Sequence, residues 1–176
     1  MKILHISDTH WRSIQRHDEY KRAFISFFEE AKQIKPDCIV VTGDIVHSKT
    51  QGITPELIDH LVWWFRQLAS VCDVHIILGN HDLALSNPSR QDAISPIINA
   101  LANPRLHLYK HSGVYPIAVG FNLCVFSLVD RPAWVNVKPV PGDVNIALFH
   151  GSVAGSTTDL GWELEADLRT SFFESF

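Results

Sequence analysis

The chain has 176 residues, 46% hydrophobic and 19% charged, with a net charge of −4 when its histidines are neutral. That length allows one domain with a real core, and the composition excludes a disordered or membrane-spanning chain. The negative balance is not the electrostatic footprint of a protein that grips nucleic acid unaided, so a nucleic-acid function would need positive charge from bound metal or a partner.

In chain order, residues 2–7 read as a buried strand. Residues 18–35 carry Tyr20, Phe24, Phe27, Phe28 and Ala31 at helical spacing, and Pro36 ends that helix. Residues 37–42 contain Cys-Ile-Val-Val, a second buried strand. Thr54-Pro55-Glu56 has the hydroxyl, proline and acid of a helix start, and Ile58, Leu61, Val62, Phe65 and Leu68 continue one apolar face. Residues 74–78 form a third buried strand, and Ser95-Pro96 starts a short helix through Leu101. Beyond it, residues 106–109, 114–119, 121–128 and 144–149 are strand-like. A last helical segment is expected over 164–176. This order predicts an α/β fold in which a parallel sheet packs on a second, mixed sheet. Phe172, Phe173 and Phe176 end the chain in an aromatic run, where polar, frayed residues are usual. The expectation is one domain over 1–176 that is incomplete at its C-terminus.

The N-terminus enters strand-like sequence directly, without the layout of a signal peptide, and the three cysteines Cys38, Cys72 and Cys124 sit in or beside apolar runs. Reduced thiols and a cytoplasmic setting follow.

Ten histidines against one methionine direct attention to metal or acid–base chemistry. Polar clusters stand at strand ends: Ser7-Asp8-Thr9-His10, Gly43-Asp44-Ile45-Val46-His47, Gly79-Asn80-His81-Asp82 and His150-Gly151. Ligands of open α/β sheets bind just beyond the C-terminal strand ends. Asp8 and His10 are close enough in an extended segment to reach one cation. Asp44 has two oxygens with which to bridge two, Asn80 offers a carbonyl oxygen and His150 an imidazole nitrogen. This nitrogen and oxygen set without thiolate suits manganese, iron or zinc. Two such ions about 3.5–4 Å apart polarise a phosphate and activate water. Each piece alone reads more simply as a turn, a helix cap or a satisfied strand-end histidine. Their order after successive apolar strands makes coincidence a poor explanation. His17, His60, His107 and His111 read as surface residues, His75 as structural, and His5 as buried and hydrogen-bonded. Trp63 and Trp64 read as helical core or interface residues.

Asp8-x-His10, Gly43-Asp44, Gly79-Asn80-His81-Asp82 and His150-Gly151 together resemble the calcineurin-like metallophosphoesterase superfamily. The opening from Ile3 to His10 is similar to that of the SbcD-type nuclease subunit, and His47-Ser48 is similar to the meiotic-recombination nuclease branch, which includes phage relatives. The resemblance implies an αββα sandwich, two packed mixed β-sheets flanked by helices. It implies metal ligation by Asp8, His10, Asp44, Asn80 and His150, with Asp44 bridging. His81 would contact the scissile phosphate and protonate the leaving oxygen, assisted by His47. The implied activity is phosphodiester hydrolysis with two divalent ions, manganese first and iron, zinc or magnesium as alternatives. The implied setting is DNA repair or recombination beside an SbcC-type SMC-like ATPase, with a homodimer among the expected assemblies. The family pattern also includes Gly-His-x-His some tens of residues after His150, and no histidine follows His150 here. Weakened metal binding and low activity are the expected consequences, and residues 1–176 are expected to hold neither the family's cap domain nor its ATPase-binding tail. Two alternatives remain open: a phosphoesterase of the same fold acting on small esters, and a non-catalytic scaffold.

Overall fold

The computed structural model describes residues 1–48, 52–87, 89–166 and 168–176. The chain divides into two compact units, Met1–Lys110 and His111–Phe176. The fold is α/β with two sheets, one in each unit. Among the described residues no helix is long and apolar enough to cross a membrane.

The first unit runs β1 (Ile3–Ile6), α1 (His17–Ile34), β2 (Cys38–Thr42), α2 (Pro55–Val71), β3 (Asp73–Ile77), α3 (Ser95–Leu101) and β4 (Leu106–Tyr109). Its strands lie side by side in sequence order, and every neighbouring pair is parallel. Sequential parallel strands need crossovers, and the three helices supply them. Every residue of β2 is buried, as the continuous apolar run of a strand covered on both faces requires. Thr54 caps α2 with its side chain on the Leu57 amide, and Pro55 occupies the first turn. Helix α1 has no side-chain cap, but Asp18 and Glu19 in its first turn complement the helix dipole. Ile39, Val41, Val74 and Ile76 of the sheet form one core with Phe28 of α1 and Leu57, Leu61, Trp64, Phe65 and Leu68 of α2. Each such side chain contributes about 1.5–3 kcal/mol when fully buried.

Four histidines depart from their sequence expectations, His107 among them, half-buried against His75. His5 is exposed rather than buried, because its side chain projects from edge strand β1; it still reaches Thr42 Oγ1 at 2.7 Å. His17 and His60 are half-buried, their rings 4.2 Å apart and both against Trp11. Trp11 carried no periodicity signal, yet it is fully buried and stacks on Tyr20 at 4.5 Å.

His75 is structural. It is buried, lies over His107 at 5.0 Å and bonds Tyr109 Oη through Nδ1 at 2.8 Å. Burial first, then the charge of His107, lowers its pKa to about 4. The unfolded chain therefore binds the extra proton between pH 6.5 and 4. Stability from this group is present above the unfolded pKa and is lost as pH falls through that window, by up to about 3 kcal/mol. Denaturant titrations at pH 7 and pH 4 should show that loss in the wild type and a smaller one in His75→Gln. Equal losses would contradict it.

The second unit holds β5 (Gly113–Ala118), β6 (Phe121–Phe126) and β7 (Val144–Phe149). β5 and β6 are an antiparallel hairpin turning at Gly120, whose φ of 73° suits glycine; β6 and β7 are parallel. A 3-10 turn at Arg131–Asn136 follows β6, and Trp134 Nε1 donates to Ser127 O at 2.7 Å. The helix expected over 164–176 does not form. Among the described residues of that span, Leu168 makes an isolated bridge with Val153 and Thr170–Phe173 form a 3-10 turn. The aromatic spacing that suggested a helix serves tertiary packing instead: Phe172 and Phe176 each lie edge-on to Phe126 at 5.2 Å.

Candidate metal centre

Because β1, β2 and β3 are parallel, their C-terminal ends share one edge. Asp8 and His10 follow β1, Asp44 follows β2, and Asn80 and His81 follow β3. The loops after β1 and β2 run together. The amides of Asp8, His10 and Trp11 donate to the carbonyls of Gly43, Asp44 and Ile45, and the His47 amide donates to Trp11 O. The buried indole of Trp11 and a bond from Tyr20 Oη to His10 O fix this strip against α1.

Asp8, His10 and Asp44 all have left-handed backbones, with φ of 54°, 46° and 50°. Such conformations are uncommon for residues with side chains and collect at functional sites. Gly43, at φ 89°, makes the turn that delivers Asp44. Gly79 is required for a different reason. A Cβ there would lie 2.2 Å from Asp44 Oδ1 and 2.3 Å from its amide nitrogen.

Asp44 is the hub of this edge. It is buried, and its Oδ1 accepts the His81 amide at 2.8 Å. Its Oδ2 faces His10 Nε2 at 3.6 Å and His81 Nε2 at 3.9 Å. Asp8 Oδ1 is 3.7 Å from His10 Nε2. One ligand-type atom from each of His10, Asp44 and His81 falls within a 4.8 Å cluster. His10 Nδ1 is buried with no hydrogen-bond partner among the described residues. An imidazole nitrogen, His10 Nε2, that faces two carboxylates in a set with no thiolate fits a divalent ion.

His81 is oriented by backbone. Its Nδ1 bonds the carbonyl of His47, so Nδ1 carries a proton and Nε2 is the atom turned toward Asp44. The His47 ring lies 5.6 Å from His10 and 6.0 Å from His81. Desolvation, then the charges of Arg12, His10 and His81, lower its pKa. Asn80 is exposed at the end of β3. His150 is buried at the end of β7, in the second unit.

Asp82 is the residue at this edge that motif reading left without a role. It is fully buried, with Oδ1 accepting the Val46 amide and Oδ2 the Gly79 amide, each at 3.0 Å. Its carboxylate therefore ties the loop carrying Asp44 to the loop carrying His81. Burial raises its pKa to about 7, against the pull of those amides. The only sequence signal was an acid just after His81.

A family model described as calcineurin-like phosphoesterase matches residues 1–174. A protein of Acanthamoeba polyphaga mimivirus, described as uncharacterized protein R555, is 39% identical over 175 residues; the match covers 92% of this chain and 13% of that protein. The chain thus spans a small part of that relative's length. Among solved structures, the Pseudomonas putida nuclease MPE aligns at a TM-score of 0.45 and 15% identity, covering 92% of this chain and 66% of that one.

Proposed function

Because the chain belongs to the calcineurin-like phosphoesterase family, we propose that it is the catalytic part of a divalent-metal-dependent phosphodiesterase acting on DNA. The observation that carries this reading is the clustering of His10, Asp44 and His81 at the edge where three parallel strands end. Asp8, His10 and Asp44 would hold one ion, and Asp44 with Asn80 would reach toward a second. Divalent ions bound there supply Lewis acidity toward the phosphate and lower the pKa of water.

The remaining chemistry belongs to the chain. With Nδ1 held on the His47 carbonyl, protonated His81 donates from Nε2 to the departing oxygen. His47 borders the same edge and adds a second imidazole beside the reacting phosphate. Asp82 holds the two loops in register, which keeps His81 aimed.

DNA is favoured as substrate by the likeness of the Ile3–His10 opening to SbcD-type subunits and by His47-Ser48. The proposed role is exo- or endonucleolytic cleavage in double-strand-break repair or recombination, with manganese as activator, in the cytoplasm. An SbcC-type ATPase would supply the DNA grip that a net charge of −4 does not. The test is manganese-dependent cleavage of linear single- and double-stranded DNA against an aryl phosphodiester. DNA cleavage is expected. Turnover of the aryl ester alone would sink the nuclease reading, and turnover of neither by folded, metal-loaded protein would sink the phosphodiesterase reading.

A further inference from the structure

Arg12 lies just past the strip that carries His10. The parallel bridge Trp11↔Val46, closed by the His47 amide on Trp11 O at 2.8 Å, sets Arg12 beside His47. Two other cations of this unit are committed to carboxylates: Arg16 pairs with Glu19 at 2.6 Å and Lys110 with Asp92 at 2.9 Å. The Arg12 guanidinium has no carboxylate or hydrogen-bond partner among the described residues, while its carbonyl is held by His17 Nε2 at 2.6 Å.

Arg12 also lines a pocket of about 400 Å³ with Ser13, Ile14, Gln15 and Thr54. The wall of this pocket is fixed. Thr54 Oγ1 donates to Ser13 O and Ser13 Oγ donates to Gly52 O, both at 2.7 Å. Its volume falls in the range of small-ligand sites. Arg12, two residues after His10 and in register beside His47, stands at the side of the pocket nearest the strand-end cluster in sequence, and it presents a planar cation of the kind that takes phosphate oxygens two at a time.

We propose that Arg12 and this pocket form a subsite for a second phosphate, next to the scissile one, so that the site selects a polynucleotide strand over an isolated diester. This rests on the phosphodiesterase reading above and deepens it. Strand recognition then comes from a guanidinium not spent on an internal ion pair, in a protein of net charge −4.

Calorimetric binding of three thymidine dinucleotides tests it, with calcium in place of manganese so that turnover does not intrude. One has the internal phosphodiester alone, one adds a 5′-phosphate and one a 3′-phosphate. Wild type should bind one of the terminally phosphorylated forms about tenfold more tightly than the plain diester. Arg12→Gln should erase that gain while changing plain-diester affinity less than twofold, and Arg12→Lys should restore part of it. The proposal is overturned if neither terminal phosphate improves binding, if the gain survives Arg12→Gln, or if Arg12→Gln weakens all three equally. Parallel assays with manganese separate the two readings. Arg12-dependent binding without any turnover faults the hydrolase reading and supports the subsite.

Discussion

Gly79→Ala is expected to remove metal binding at the strand-end cluster and to lower turnover at least a hundredfold. The added methyl would occupy the place of Asp44, 2.2 Å from its carboxylate oxygen and 2.3 Å from its amide. Neither neighbour moves freely. The Asp44 carbonyl bonds the His10 amide, its Oδ1 bonds the His81 amide, and its backbone already sits at φ 50°. Relief must therefore displace β3's end from β2's end and separate His81 from Asp44. Overpacking of this kind costs about 1–3 kcal/mol. A lowered melting temperature together with a manganese affinity reduced at least tenfold would match. A variant with wild-type metal affinity would show that the two strand ends are not packed this closely.

His81→Ala and Asp44→Ala should separate chemistry from metal binding. Nε2 of His81 is placed to donate a proton, and a lost general acid costs about 10²–10⁴ in rate. His81→Ala should therefore lose turnover by at least a hundredfold and keep most of its metal. Asp44→Ala removes the carboxylate that faces both histidines, and metal should leave with it. The two variants then fail alike in activity and differ in bound manganese. A His81→Ala protein that turns over normally would refute the role given to this imidazole. One that loses as much metal as Asp44→Ala would make His81 a ligand, a role compatible with its place in the 4.8 Å cluster.

Much of the frame was legible in the sequence because burial on both faces leaves a distinctive run. Cys38 to Val41 read as a buried strand, as they are, and Thr54-Pro55 marked the start of α2 by capping chemistry alone. The C-terminal segment misled for a physical reason. Phe172, Phe173 and Phe176 are spaced like one helical face, but a 3-10 turn places Phe172 and Phe176 on Phe126. Periodicity reports that residues are buried together, and over so short a span it does not report the backbone that buries them.

The strand-end clusters were legible for the same topological reason: parallel strands end together, so Asp8, His10, Asp44 and His81 had to share an edge. What holds them there was not. His81 is aimed by the carbonyl of His47, and every residue has a carbonyl. Asp82 joins two loops by accepting backbone amides, a pattern without side-chain identity at the donor end. Trp11 locks the first loop through packing and two backbone bonds, although nothing around it in the sequence alternates or repeats.

Asp44 and the histidines around it are the proposed divalent-metal centre. Calorimetric titration of wild type and Asp44→Ala with manganese tests it most directly. The wild type should bind manganese with a defined stoichiometry, and Asp44→Ala should lose at least one site. A wild-type protein that is folded and binds no manganese, or an Asp44→Ala protein with an unchanged isotherm, would contradict the account.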